Sequence, residues 1–268
     1  MTFTLCINRW AYPNSIPISE AMSHAKGIGY DCFEPNVEEE DLKLDQGQLE
    51  RKWREVASNA ESLGLRIPSV STSLYWRRNM LLDQELDAAL EVAKVQARVA
   101  NILGAKVMLV VPGVAVPELS YEAQLERARR AILQVSKVSS QEGVKVGVEN
   151  VWNRVVASPL DMRRLVDNLS PDWVGVYFDA GNTLPQSLPE QWIRTLGGSI
   201  VAVQVKDFSL RDMKFGIPFT GNVNWINVRK ALEEVAYSGP ITAEISPYPG
   251  DPHKASFDTY HAMRQVFK

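Results

Sequence analysis

Short apolar runs rich in β-branched residues alternate along this chain with longer segments in which apolar residues recur every three or four positions. The first pattern is typical of buried strands and the second of amphipathic helices. The runs predict strands at residues 3–8, 31–34, 66–71, 106–111, 145–149, 174–179, 201–206 and 241–245. The longer segments predict helices near residues 18–28, 47–63, 83–103, 119–142, 158–169, 189–197, 224–237 and 254–267.

This alternation of strand and helix predicts parallel strands, and its number of units matches a closed (β/α)8 TIM barrel. An open, doubly wound sheet is the alternative, but the glycine-rich turn expected after its first strand is missing, because residues 8–13 read Asn-Arg-Trp-Ala-Tyr-Pro. No linker rich in proline, glycine and serine interrupts the pattern. We therefore expect residues 1–268 to form a single barrel domain.

Composition narrows the classes of protein. The chain is 45% hydrophobic and 23% charged, with a net charge of -3, which gives no basic surface for nucleic acid. Its start does not read as a signal peptide, and no apolar run is long enough to span a membrane, so we expect a soluble cytoplasmic protein. Cys6 and Cys32 are expected to be reduced residues of the core, because the chain lacks the features of a secreted protein.

Four oxygen-bearing side chains each end one of the last four predicted strands: Glu149, Asp179, Gln204 and Glu244. An acid at a single strand end usually caps a helix or forms a surface ion pair, but four in succession meet at the C-terminal rim of a barrel. Three carboxylates and an amide oxygen suit Mg²⁺ or Mn²⁺. A zinc site rich in histidine is excluded, because the three histidines lie outside these strand ends. Lys206 shares the inward face of Gln204.

A cation bound at this rim would polarise a substrate carbonyl, make the neighbouring C–H acidic and hold the resulting enediolate. Glu149 and Glu244 would approach the substrate from different sides, so one would remove a proton as general base and the other would return it. The hypothesis is therefore epimerisation or isomerisation by a pair of glutamates.

The residues in this order resemble the xylose-isomerase-like TIM-barrel superfamily, in particular its sugar and sugar-phosphate isomerases and epimerases. The resemblance covers nearly the whole chain, and its sharpest segments are residues 148–154, 178–182, 203–208 and 242–244, with 221–225 as a further match. It implies that Glu149, Asp179, Gln204 and Glu244 are metal ligands and that Glu149 and Glu244 are also catalytic.

Two candidate site residues, and also Phe219 and Thr220 before Gly221, depart from the ketose epimerases of that superfamily. Those enzymes usually have a histidine where this chain has Gln204, and a substrate-facing histidine where it has Asn182. Glutamine at the first position is instead familiar from hydroxypyruvate isomerases and from barrel-type 3-dehydroshikimate dehydratases. The amide still offers a carbonyl oxygen to a cation.

Substrate contacts are expected from polar and aromatic residues that follow the strand ends. The candidates are Trp10, Glu34, Trp152, Arg154, Asn182 and Lys206, with Tyr75 and Trp76 as further aromatic wall and Arg9, Arg77 and Arg78 as further phosphate partners. For Glu34, capping of a loop is an equal alternative to substrate contact, and the aromatic residues would equally seal the rim or an oligomer contact.

The sequence therefore favours a metal-dependent isomerase or epimerase of a small sugar or sugar phosphate. A metal-dependent dehydratase of the 3-dehydroshikimate type, or a hydroxypyruvate-type isomerase, is the enzymatic alternative. A barrel that binds sugar or metal without turnover is the alternative of another class. DNA-repair endonucleases of the same superfamily need several rim histidines and are set aside. The resemblance also favours a homodimer or homotetramer.

Overall fold

The computed structural model describes residues 2–268. Eight strands form one sheet with every pairing parallel. In chain order they are β1 (Leu5–Asn8), β2 (Cys32–Glu34), β3 (Ser69–Val70), β4 (Val107–Val110), β5 (Lys145–Glu149), β6 (Val174–Asp179), β7 (Ile200–Val205) and β10 (Ile241–Ala243). Two further strands, β8 (Asp207–Ser209) and β9 (Lys214–Gly216), form a separate antiparallel hairpin between β7 and β10.

The helices follow the strands along the chain. They are α1 (Ile18–Ile28), α2 (Gln46–Leu63), α3 (Asp83–Leu103), α4 (Tyr121–Gln141), α5 (Pro159–Val166), α6 (Ala180–Thr183), α7 (Pro189–Leu196), α8 (Trp225–Glu234) and α9 (Lys254–Phe267). Three of the N-termini are capped by side chains, those of Ser120, Ser158 and Asn224, each of which accepts a backbone N–H from the first turn.

The sheet closes on itself, which confirms the TIM barrel and excludes the open sheet. Its strand order is β2-β1-β10-β7-β6-β5-β4-β3, so β1 and β10 are neighbours inside the sheet. The two ends, β2 and β3, meet through isolated parallel bridges, Cys32 with Arg66 and Asn36 with Ser71. These isolated bridges pair fewer residues than the continuous ladders between the other strands, because β2 and β3 are short. Apolar residues of strands and helices pack into one continuous core.

The prediction that both cysteines are reduced is wrong, because the structure joins Cys6 and Cys32 in a disulfide. The two residues lie opposite each other on β1 and β2, with their Cα atoms 4.5 Å apart, which is within disulfide range. The sequence separates them by 26 residues and gives no sign of this register.

None of the helices among residues 2–268 is both long enough and apolar enough to cross a lipid bilayer.

Candidate metal and substrate site

Three carboxylates meet at the C-terminal end of the barrel. Glu149 ends β5, Asp179 ends β6, and Glu244 directly follows β10. One oxygen from each lies within 4.8 Å of the others, which is close enough for a single cation to contact all three. Parallel strands bring these residues together because their carboxyl ends share one rim, although the residues are far apart in sequence.

The ammonium group of Lys206 lies among these carboxylates. Its Nζ is 3.1 Å from Asp179 Oδ2 and also contacts Glu244 Oε2, while it lies 4.9 Å from the centre of the Phe215 ring. Lys206 reaches this position because it follows Gln204 by two residues and so points into the barrel mouth. The side chain therefore supplies one positive charge to a centre that holds three acids.

Burial and mutual repulsion perturb the acids of this centre. Burial raises the pKa of Glu149 well above its usual value, and the Glu244 carboxylate raises it further, whereas Lys206 lowers it. Burial also raises the pKa of Asp179 to about 6, against the opposing effect of Lys206. Burial alone would lower the pKa of Lys206, but the surrounding carboxylates raise it above its usual range. The centre is therefore short of positive charge.

Asp179 is held rigidly by the residues around it. Its Oδ1 accepts the backbone N–H of Asn182 at 2.9 Å and so caps α6, and its own backbone N–H donates to Asn150 Oδ1 at 2.8 Å. The Asn182 side chain then donates to Glu149 Oε1 at 3.1 Å. Asn182 thus links two of the three acids and lines a cavity beside them, and its contact with substrate stays a prediction.

Gln204 is fully buried on β7, in register with Asp179 on β6. Its Nε2 donates to Glu34 Oε2 at 2.9 Å, whereas its Oε1 has no hydrogen-bond partner among residues 2–268. A buried carbonyl oxygen is costly to leave unpaired. The role of Gln204 as a metal ligand stays a prediction, and its unpaired Oε1 is the atom that would serve it.

Glu34 lies inside the barrel and is fully buried. Its Oε1 accepts the hydroxyls of Ser69, at 2.6 Å, and Tyr177, and its Oε2 accepts Asn8 Nδ2 at 2.5 Å as well as Gln204. Burial raises its pKa, and these four hydrogen bonds oppose that rise. The predicted substrate contact stays a prediction, but the contacts of Glu34 in this structure are with the chain itself.

A cavity of about 260 Å³ opens above the acids. Glu149, Asn182, Lys206 and Glu244 form its polar wall, and the indoles of Trp10, Trp76 and Trp152 with the ring of Phe215 form its apolar wall. A second cavity of about 620 Å³ shares Trp10, Lys206, Phe215 and Glu244 and continues towards Ser246 and Tyr248. Convergent polar groups on an aromatic wall are the usual features of a small-molecule site.

Other predicted residues lie elsewhere. Arg154 is exposed and lines neither of these two cavities. Tyr75 is buried in the core, where its hydroxyl donates to Gln96. The Arg9 guanidinium donates to the backbone carbonyls of Tyr12, Pro13 and Ile16. Arg78 pairs with Glu39.

Sequence reasoning missed the β8–β9 hairpin and its anchor, Asp207. The hairpin brings Phe215 against Trp152, with ring centres 4.9 Å apart, and so builds part of the cavity wall. Asp207 accepts the backbone N–H groups of Phe208, Phe219 and Val223 and the indole N–H of Trp225. An acid directly after the rim lysine was the available signal, although it does not indicate which N–H groups the acid accepts.

Comparison with known proteins agrees with this architecture. The family model described as "Xylose isomerase-like TIM barrel" matches residues 22–265. The chain is 28% identical over 246 residues to a protein named L-ribulose-5-phosphate 3-epimerase UlaE from Escherichia coli O157:H7 (strain EC4115 / EHEC), an alignment that covers 87% of this chain and 85% of that protein.

Solved structures share the fold. A D-tagatose 3-epimerase-like protein superposes with a TM-score of 0.83 at 17% identity, over 99% of this chain and 97% of its own. The IolI protein, whose crystal structure is described as having a bound zinc atom, superposes with a TM-score of 0.82 at 17% identity, over 100% of this chain and 98% of its own. Identities this low establish the common barrel and nothing finer.

Proposed function

The chain belongs to the xylose isomerase-like TIM barrel family, and from that premise we propose that it is a divalent-metal-dependent isomerase or epimerase of a small sugar or sugar phosphate. The observation that carries the proposal is the cluster of Glu149, Asp179 and Glu244 at the barrel mouth, with oxygens within 4.8 Å of one another. The names of the relatives, which include a ribulose-phosphate epimerase, support the same class of reaction.

The residues of the site fit a divalent cation. Glu149, Asp179 and Glu244 would hold it together with Gln204, whose buried Oε1 otherwise lacks a partner among the described residues. An all-oxygen set of this kind favours Mg²⁺ or Mn²⁺ over softer metals. When bound, the cation would polarise a substrate carbonyl and make the adjacent C–H more acidic.

Two glutamates of this chain are placed to move the proton. Glu149 ends β5 and Glu244 follows β10, two strands that β6 and β7 separate, and both residues line the cavity. One carboxylate takes the proton from the substrate carbon, and the other delivers a proton to the opposite face of that carbon. Return of the proton to that carbon inverts the centre. Return to the former carbonyl carbon, with transfer of the hydroxyl proton to the former carbonyl oxygen, shifts the carbonyl, and no atoms are lost in either case. Burial raises the pKa of Glu149 well above its ordinary value, which makes its carboxylate a stronger base towards the substrate C–H.

Lys206 and Asn182 would orient the substrate. The Lys206 ammonium reaches both the acids and the cavity, where it can donate to a hydroxyl or phosphate oxygen of the substrate. The indoles of Trp10 and Trp152 flank the same space and offer apolar faces to the C–H side of a sugar ring. Trp152 is fixed by an indole N–H bond of 2.8 Å to the Asn182 carbonyl.

The test is proton exchange into a panel of ketoses and ketose phosphates in D₂O, followed by NMR with Mn²⁺ or Mg²⁺ added. We expect deuterium to enter the carbon next to the carbonyl without loss of water. Glu149→Gln and Glu244→Gln are each expected to slow exchange by about 10²–10⁴-fold, because each removes one proton-transfer group. Glu126→Gln, on the exposed face of α4, is the matched control. Full exchange activity in Glu244→Gln would contradict the two-glutamate mechanism.

A metal-dependent dehydratase of the 3-dehydroshikimate type, or a hydroxypyruvate-type isomerase, is the second candidate. The amide at Gln204, where ketose epimerases usually have an imidazole, favours it. Loss of water in the NMR experiment would indicate the dehydratase, and turnover of hydroxypyruvate the isomerase. A barrel that only binds sugar or metal would take up Mn²⁺ and show no exchange with any substrate. The homodimer or homotetramer and the cytoplasmic location stay predictions.

A further inference from the structure

We propose that Glu34 is a positioning residue that decides which end of the Gln204 side-chain amide faces the carboxylates of Glu149, Asp179 and Glu244. The inference rests on the metal-dependent function proposed above, because it concerns how one ligand of the cation is presented. It also gives Glu34 a role that requires no contact with substrate.

The Glu34 carboxylate is the acceptor of four hydrogen bonds. It accepts from Ser69 and Tyr177 at Oε1 and from Asn8 and Gln204 at Oε2. All four partners donate, so both oxygens of this carboxyl group act as acceptors in the structure. The part of the Gln204 amide that faces Glu34 must therefore be the NH₂ group, which leaves the carbonyl oxygen at the other end.

Asn8, Ser69 and Tyr177 hold the Glu34 carboxylate in the orientation in which it accepts from Gln204. Asn8 Oδ1 accepts the backbone N–H of Trp10 at 2.8 Å, so its NH₂ group is the end left for Glu34, and it also donates to Ser71 Oγ at 2.8 Å. Tyr177 OH lies 3.1 Å from Ser69 Oγ, so hydroxyls from β6 and β3 both hold Oε1 inside the barrel. Glu34 is fully buried, so water does not compete for these hydrogen bonds.

The consequence appears at the other end of Gln204. Its Oε1 is buried and lacks a hydrogen-bond partner within residues 2–268, so it is free to contact a cation. If the Gln204 side-chain amide flipped, its NH₂ group would take the place of that oxygen and repel the cation. Metal-binding histidines are commonly oriented by a carboxylate that accepts their second ring N–H, and here an amide NH₂ takes the place of that ring N–H.

The test is a titration of the chelator-stripped protein with Mn²⁺ alone, followed by calorimetry. In Glu34→Gln, the new side chain can keep its oxygen towards Ser69 and Tyr177 and turn its NH₂ towards residue 204, so Gln204 is expected to reverse. We expect Mn²⁺ affinity to fall by about 10–100-fold, in line with other residues that orient metal ligands.

The exchanged pair Glu34→Gln/Gln204→Glu is the decisive variant. The amide and the carboxylate trade places, so the NH₂ group of residue 34 donates to residue 204 and an oxygen again faces the cation. Asn8 loses one acceptor but keeps Ser71. We expect this double variant to recover most of the lost affinity. Ser69→Ala is the control, because it removes a donor from Oε1 and leaves the bond between Glu34 and Gln204 intact; it should weaken binding less than Glu34→Gln.

The outcomes separate the two proposals. If the unaltered protein takes up neither Mn²⁺ nor Mg²⁺, the metal-dependent function itself fails. If it binds Mn²⁺ and Glu34→Gln binds it equally well, only the positioning role is overturned. If both Glu34→Gln and the exchanged pair lose affinity to the same extent, Glu34 supports the fold and does not orient Gln204. Thermal unfolding of each metal-free variant identifies any loss of the fold.

Discussion

At the scale of single residues, the site depends on a close approach between Gly181 on α6 and Lys206. A Cβ atom at Gly181 would lie 2.5 Å from the Lys206 carbonyl oxygen and 2.7 Å from its Cγ. Only glycine leaves room for the lysine stem that carries the ammonium to Asp179. The absence of a side chain at position 181 is therefore part of how the acidic centre is built.

Gly181→Ala is expected to lower the free energy of unfolding by about 1–3 kcal/mol, because overpacking forces the surrounding backbone to shift. It should also weaken Mn²⁺ binding, since Lys206 and Asp179 move with that backbone. Denaturant unfolding and calorimetry measure the two effects.

Gly198→Ala is the matched control, because a Cβ there meets nothing within 4 Å. It should change the free energy of unfolding by less than about 0.5 kcal/mol. Equal effects from the two substitutions would contradict the steric argument.

A second feature at the scale of single residues is a pair of neighbouring histidines. His24 on α1 and His253 before α9 have ring centres 4.3 Å apart, and Tyr12 OH lies 3.2 Å from His24 Nδ1. Burial lowers the pKa of His24, and His253 lowers it further, while Asp251 and Glu20 oppose the shift. The neutral imidazole is therefore the form that the fold favours.

The pKa of His24 lies below its unfolded value of about 6.5. The unfolded chain consequently binds more protons, so this contribution to stability is complete above about pH 6.5 and is lost as the pH falls through the folded value. In denaturant unfolding from pH 8 to 5, we expect His24→Gln to lose less stability on acidification than the unaltered protein. His261→Gln should follow the unaltered profile; a flattened profile in that variant would contradict the assignment to His24.

At the scale of elements, the β8–β9 hairpin is tied to α8 by one buried carboxylate. Asp207 accepts four N–H groups, three from the backbone of the hairpin and its loop and one from the Trp225 indole at the start of α8. Gly221 lies so near that a Cβ would come within 2.4 Å of Asp207 Oδ1. The hairpin in turn places Phe215 against Trp152 and beside Lys206.

Asp207→Asn keeps one acceptor oxygen and turns an NH₂ group towards donors that then lack a partner. We expect a loss of about 2–4 kcal/mol in the free energy of unfolding, because each unsatisfied buried donor costs about 1–3 kcal/mol. Hydrogen exchange at the Phe219 and Val223 amides should become faster, and substrate KM should rise more than kcat falls.

Asp212→Asn, on the exposed turn of the same hairpin, is the comparison. It should leave both hydrogen exchange and KM near the unaltered values. Unchanged protection of the Phe219 amide in Asp207→Asn would show that the hairpin does not depend on this carboxylate.

The sequence predicted most elements because their signals are local. The limits of α1, α3 and α9 match the predicted helices, since apolar periodicity and caps are set within one turn. The four strand-end oxygens were also recognised, because each directly follows an apolar run. The hairpin was missed, as β8 and β9 are three residues each and lie largely outside the barrel core. The bonds of Glu34 were out of reach, because its partner Gln204 lies 170 residues away.

At the scale of the whole molecule, we propose that residues 1–268 form a single domain. The apolar core is continuous, and the first and last strands of the barrel, β1 and β10, pair with each other. Because the first and last strands pair, unfolding of one half of the barrel would expose the apolar core of the other half to solvent.

Unfolding by denaturant is accordingly expected to give one transition, with the same midpoint by far-ultraviolet circular dichroism and by tryptophan fluorescence. The seven tryptophans are distributed from residue 10 to residue 225, so fluorescence reports on both halves. Two separated transitions would indicate two domains and contradict the proposal.

The seam between β2 and β3, where the two ends of the sheet meet, has a consequence for the selectivity of the proposed metal site. There the backbone contributes only isolated bridges, and Glu34 reaches across to Ser69 with its side chain. The same carboxylate holds Gln204 on β7, which β1 and β10 separate from β2. We therefore expect movement at this seam, where the backbone pairing is sparsest, to change the position of Gln204, the proposed metal ligand. Substitutions along the seam between β2 and β3 should change the relative affinity of the site for small and large divalent cations. The other strand pairs of the barrel should stay intact.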